Sequence, residues 1–279
     1  MPFTSQDRAT PPATPFEICR STQRQRVSDG VMGSPVDAWS APYRLLLVWP
    51  QLGDFDSLEY AWWIQREREH LEQQGVSVRA VAIGDRSAGQ RFCAYTGFSA
   101  ADLWVDPLGD LHRALGLYPG LQWSVPGLNP RQRAMANLLL MCAGVGSPGT
   151  LREVFRGYLG DRQAPQLIGD GETVEAKPLP PIQGEFFRFA GGKGFQRPFE
   201  LATLRLRNMV EALGHWSTYV PEGSRVTQRG GTFVFGPTGA LCYEYRDRGL
   251  LGFSATMARP LTFLEVLSKA DQDIDGSDC

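Results

Sequence analysis

Asp54, Asp56, Ser57 and Glu59 share one short stretch, Gly-Asp-Phe-Asp-Ser-Leu-Glu, at positions 53–59. Of these, Asp54, Asp56 and Ser57 could bind a ligand or polarise a water. The preferred reading is structural. Aspartate favours helix N-caps, so Asp56 is expected to cap a helix, with Glu59 three residues on as in a capping box and Asp54 solvated. Ser57 as a nucleophile would need a base, and His70, His112 and His215 are scattered, none of them near it in sequence. Five cysteines stand at 19, 93, 142, 242 and 279, far apart and without any Cys-x-x-Cys pair. Neither a disulfide framework nor a zinc site is expected from that spacing. Cys93 falls within a helix, away from the N-terminal field that activates thiols, and reads as a small core-facing residue. Cys142 and Cys242 read as core filler, and Cys279 as an exposed terminal thiol.

Two further patterns are weaker. Asp271, Asp273, Asp275 and Gly276 match the opening of an EF-hand loop, but the sequence stops at Cys279, before the bidentate glutamate that loop requires. A solvated acidic tail over 269–279 is expected. Gly191-Gly192-Lys193-Gly194 lacks the spacing of a phosphate loop and reads as a flexible turn. No cofactor and no metal is expected.

The elements that must position these residues follow from periodicity. Residues 43–49 (YRLLLVW) form a continuous apolar run, as a strand buried on both faces requires. A helix should follow through about residue 74, stopped by Gly75. A second strand is expected at 76–83, then a helix opened by Ser87 and Gln90 and closed by Gly97, and a brief strand at 103–105. A short helix should span 110–117. This strand–helix alternation implies parallel pairing with right-handed crossovers.

Beyond it, 118–130 reads as a loop and 131–143 as a helix with Ala134, Leu138 and Met141 on one side. Thr150 and Glu153 cap another helix, and a strand is expected at 185–189. Pro198 opens a helix over 199–213 whose stripe is Leu201, Leu204, Met209 and Leu213. Two strands, 232–235 and 241–245, flank the turn Gly236-Pro237-Thr238-Gly239. Pro260 opens a last helix carrying Leu261, Phe263, Leu264 and Leu267. Trp62 and Trp63 cannot both face the core, so one is expected to mark a contact surface or to lie under the insertion.

The chain has 279 residues, 42% of them hydrophobic, enough for a sizeable core, and its net charge of −2 gives no sign of nucleic-acid binding. The longest apolar candidate, 138–145, is too short to span a bilayer. The first 15 residues are polar and proline-rich without an apolar signal core, so a disordered start and a reducing, cytoplasmic setting are expected.

Three segments carry a family resemblance: LLLVWPQLGDFDSLEYA, FCAYTGFSAADLWVDPLGDLHRALGL and QRGGTFVFGPTGALCYEYRDRGLLGF. The chain resembles the peroxiredoxin-like AhpC/TSA family, in the branch that includes the prostamide/prostaglandin F synthase proteins. The resemblance covers roughly residues 43–117 and 228–268. It implies an α/β, thioredoxin-like fold, with a central mixed sheet flanked by helices and a helical or irregular insertion, about 120–227, before the C-terminal hairpin. Residues 1–40 then form an extension to a domain over 41–268. It also places Asp54 and Ser57 where the family's Gly-Cys-x-x-Cys-Arg-Glu stretch has its two cysteines, between Gly53 and Glu59. Peroxide reduction needs a thiolate that attacks an O–O bond, which neither residue supplies. The helix N-terminus would favour an Asp54 anion by ~0.3–1 kcal/mol. Gly231 stands where thioredoxins carry a cis-proline. The resemblance therefore implies a member without the redox-active cysteines, a binding or assembly protein with a protein partner. The alternative is a thiol-dependent peroxidase that uses another cysteine such as Cys93.

Overall fold

The computed structural model describes residues 13–124, 126–159, 166–190, 197–221 and 225–265. The acidic tail, Cys279, the turn at 191–194 and most of the polar start lie outside them. The chain begins with helix α1 (Pro15–Ser21), strand β1 (Arg24–Arg26) and strand β2 (Met32–Gly33). The alternating part follows as β3 (Tyr43–Gln51), α2 (Phe55–Arg66), α3 (Arg68–Gln73), β4 (Val76–Ile83), α4 (Arg86–Thr96), β5 (Leu103–Val105) and α5 (Asp110–Ala114). The insertion holds α6 (Pro130–Cys142), α7 (Thr150–Leu159), a two-stranded sheet of β6 (Thr173–Val174) and β7 (Ile182–Gln183), α8 (Arg197–Gly214) and α9 (Trp216–Tyr219). The hairpin β8 (Gly231–Phe235) and β9 (Leu241–Arg246) closes the sheet.

The main sheet runs β2-β1-β5-β4-β3-β8-β9, with β3, β4 and β5 parallel and the remaining pairs antiparallel. This is the mixed, helix-flanked α/β sheet expected of a thioredoxin-like fold. Strand periodicity divides the core into two layers. Leu45, Leu47 and Trp49 of β3 face a cluster with Leu58 and Ile64 of α2 and Phe92 of α4. Leu46 and Val48 face the other cluster, with Phe233, Phe235, Leu111 and Leu115. Pro50 has no amide hydrogen for the ladder, and the β3–β4 register shifts between Trp49 and Gln51.

Several expectations change in detail. Residues expected as an extension build part of the sheet: β1 pairs β5, and Phe16 of α1 packs its ring 5.1 Å from that of Phe235. Arg24 reaches the buried Asp106 at 3.3 Å, which ties this edge down. The helix expected through residue 74 breaks at Glu67 into α2 and α3. The α4 cap is Asp85, whose carboxylate accepts from Ala88 N at 2.8 Å, and neither Ser87 nor Gln90 takes that role. The segment expected as a strand near 185–189 is a 3-10 helix, Gly184–Ala190. Its Phe187 anchors in the core while Phe186 and Phe189 stay exposed, a three-residue pattern that alternation does not serve. After Pro260 the chain turns and becomes helical only at Phe263. Trp63 is buried, and Trp62 is half-buried with the Arg66 guanidinium 5.2 Å from its ring centre. Among the described residues no helix is long and apolar enough to cross a membrane.

Candidate functional site

Sheet register brings three distant segments to the carboxyl end of β3. Val48 lies opposite Gly231, so the antiparallel run places Arg229 and Gly230 just past β3, beside the start of α2. Arg246 of β9 also lies opposite Gly231, which sets Asp247 beside Gly230; the Asp247 amide donates to the Gly230 carbonyl at 3.1 Å. Only glycine fits at 230. A Cβ there would stand 2.3 Å from the Val48 carbonyl oxygen and 3.2 Å from Asp247 Oδ2.

Arg229 is the centre of this junction and is fully buried. Its Nη2 donates to Asp54 Oδ2 at 2.5 Å and its Nη1 to Asp56 Oδ2 at 3.0 Å. Its Nε donates to the Thr227 carbonyl at 3.2 Å, so the planar fork is held on three sides. Asp54 is the N-cap of α2: its Oδ1 accepts from the Asp56 amide at 2.9 Å. This corrects the expectation that Asp56 caps the helix and Asp54 is solvated. Asp56 is buried in the first turn of α2, and its Oδ1 accepts from the Leu251 amide at 2.8 Å. Ser57 is fully buried, its hydroxyl donating to the Gln51 carbonyl at 3.0 Å. The hydroxyl proton is thus spent on a backbone carbonyl.

A second ion-pair layer backs the first. Glu59 is no capping-box partner. It is buried and accepts from Arg205 Nε at 2.9 Å and Nη2 at 3.3 Å. Arg205 Nη2 also reaches Glu153 Oε1 at 3.3 Å, and Glu153 pairs with Arg156 at 2.6 Å. Thus α8 and α7 of the insertion are joined to α2 through charge.

Burial and the neighbouring Asp54 charge hold the Asp56 carboxyl well above the usual range, against the pull of Arg229. Burial also pushes Asp247 up to about 7, while Arg229 and the Gly230 amide pull it back. The sign of the pH dependence follows. A folded value of about 7 lies above that of an unfolded aspartate, about 4, so the folded state binds the extra proton between them. This stabilisation is complete below about pH 4 and is lost as pH rises through about 7, at up to ~1.4 kcal/mol per pH unit. Urea unfolding across that window should show the slope, and Asp247→Asn should reduce it, leaving the part that the raised Asp56 carboxyl supplies. Parallel curves for the two proteins would exclude Asp247 as its source.

The α2 start opens on a cleft of about 460 Å³. Its apolar walls come from Leu138 of α6, Val154 of α7, Leu201, Leu206, Met209 and Leu213 of α8, and Trp216 of α9. Gln51, Asp54, Asp56 and Arg205 form its polar end. Of the stripe expected on α8, Leu201 and Leu204 are buried, whereas Met209 and Leu213 are 38% and 60% exposed at this cleft. A cleft outside the carboxyl end of a parallel strand is where open α/β sheets bind ligands.

A family model described as AhpC/TSA antioxidant enzyme matches residues 63–249, more than half of the chain. The chain belongs to the AhpC/TSA family. The match begins within α2, after Asp54 and Ser57, and spans Arg205, Arg229 and Asp247. No curated protein matches the sequence.

For an AhpC/TSA family member the cysteines are the natural reactive groups, and here they are dispersed. Cys93 of α4 is half-buried against the core, does not line the cleft, and burial pushes its thiol up to about 12. Cys19 is buried, and the same cause raises it to about 12. Cys142 and Cys242 are exposed, which corrects their reading as core filler. Cys242 lies on β9, the edge strand, whose side chains alternate toward solvent. Cys142, at the end of α6, lines the cleft, and partial burial together with the Asp54 charge raises its thiol above the ordinary value. His112 is fully buried with Nε2 2.8 Å from the Trp49 carbonyl oxygen, and burial lowers it to about 4, leaving it neutral. Among the described residues no three metal-ligating side chains come together as a metal site.

The structure therefore brings Asp54 and Ser57 to one helix start and leaves Cys93 elsewhere. Arg229, Asp247 and Arg205 were missed as partners. Arg229 and Asp247 both sit in the quoted stretch QRGGTFVFGPTGALCYEYRDRGLLGF, so a signal was present. Arg205 had none, since arginine beside an apolar helical stripe reads as a solvated face.

Proposed function

We propose that this AhpC/TSA family protein is a binding member that does no thiol redox chemistry. Asp54 and Ser57 stand at the two cysteine positions in this reading, and the cleft above them receives a bound molecule. One observation carries it: the α2 start is occupied by a carboxylate locked onto the buried Arg229, with Ser57 tied to Gln51 O. A helix N-terminus that would stabilise a thiolate instead holds the side chain of Asp54. Exposed apolar residues on the insertion, Leu139, Phe155 and Leu159, support a role in binding, including that of a protein partner. The four described cysteines are all free, which supports a reducing, cytoplasmic setting.

The alternative, a thiol oxidoreductase working through Cys93, would need a thiolate at neutral pH. Burial pushes Cys93 the other way. The two readings separate under alkylation of the native protein, followed peptide by peptide by mass spectrometry. Cys93 is expected to react with iodoacetamide more slowly than a free thiol near neutral pH. Reaction at or above the free-thiol rate would reject the binding reading in favour of the enzyme.

A further inference from the structure

We propose that the cleft beside Asp54 binds an amphipathic primary amine, with its apolar body along α8 and its ammonium head on the Asp54 carboxylate. The proposal rests on the binding reading above and gives that site a ligand class.

Size and lining set the apolar half. A cavity of about 460 Å³ falls in the range that encloses small ligands, and its walls are chiefly aliphatic. Met209 and Leu213 leave apolar surface in water there, which an apolar ligand body would cover. A smaller cavity, about 210 Å³, borders the same Trp216, Val220 and Val226.

Charge sets the head. Asp54, Asp56 and Arg205 are the ionisable carboxyl and guanidinium groups that line the cleft; Asp54 pairs with the buried Arg229, and Arg205 with Glu59 and Glu153. Both arginines nearest the cleft turn their forks onto these carboxylates, and the Gln51 amide donates to the Tyr219 carbonyl at 2.5 Å. Asp54 accepts one bond at each oxygen, and an ionised carboxylate has about four lone-pair directions. The polar end therefore offers acceptors to a ligand that donates. An ammonium group can donate to the remaining Asp54 acceptor directions, whereas a ligand carboxylate has nothing to donate there.

Decylamine, decanol and decanoate, each titrated calorimetrically into the full-length chain near neutral pH, test this directly. Decylamine should bind at least about ten-fold tighter than decanol, and decanoate weaker than both. Added salt should weaken decylamine alone. Asp54→Asn keeps a capping side chain and should remove the amine preference while decanol binding persists. Protection of Cys142 from maleimide by decylamine in the wild-type chain would place the ligand in this cleft. Decanoate binding as tightly as decylamine would overturn the ligand class. Absence of binding and of Cys142 protection would overturn the site. Neither result would produce peroxide turnover, whose appearance is what refutes the underlying binding reading.

Discussion

Arg229→Met is expected to destabilise the fold by about 3–5 kcal/mol, the usual range when one partner is taken from a buried ion pair. Methionine fills much of the arginine volume, so packing is not the main loss. The loss comes from Asp54 and Asp56, which sit almost without solvent and depend on Arg229 as their cationic partner. The penalty should depend on pH. Without the guanidinium, the Asp56 carboxyl shifts further upward, and the folded state takes up a proton that the unfolded state does not. The variant should therefore be most impaired near pH 8 and regain part of its stability near pH 5, because protonated carboxyls need no cation. Adding Asp56→Asn should recover part of the loss at the higher pH. Urea unfolding of the single and double variants measures all of this. A penalty below about 1 kcal/mol near pH 8 would mean that the cluster is hydrated, as surface pairs are.

Arg205→Met is expected to remove about 3 kcal/mol by a related route. Glu59 is left buried without a partner, while Glu153 keeps Arg156. The two carboxylates thus respond differently to one deletion. Glu59→Gln in the Arg205→Met background should restore roughly 1–2 kcal/mol, because a neutral amide tolerates the site. Glu153→Gln in the same background should restore little. Calorimetric melting of the three proteins would show the asymmetry. Equal rescue by both glutamines would mean that Glu59 is not the stranded charge.

These charged groups mark where sequence reading reached its limit. The β3 run, the β8–β9 hairpin and the glycine stops at Gly75 and Gly97 were legible because apolar periodicity and turn chemistry are local. The N-cap was placed two residues late, since Asp54 and Asp56 are equally good caps by type and only geometry separates them. Asp56 is instead drawn inward by Arg229, a residue 173 positions away. No local rule reports that pairing; the antiparallel register of β3 and β8 creates it. The same holds for residues 24–33, whose short β1 and β2 gain their partners from β5 and from each other. Cys142 was misread because an apolar-looking helix end borders an open cleft.

The most direct measurement of the central claim is hydrogen peroxide consumption by the purified full-length chain with a thiol reductant present. The account predicts no consumption above the reductant alone, and no change on Cys93→Ser or Cys142→Ser. Turnover that either substitution abolishes would contradict it.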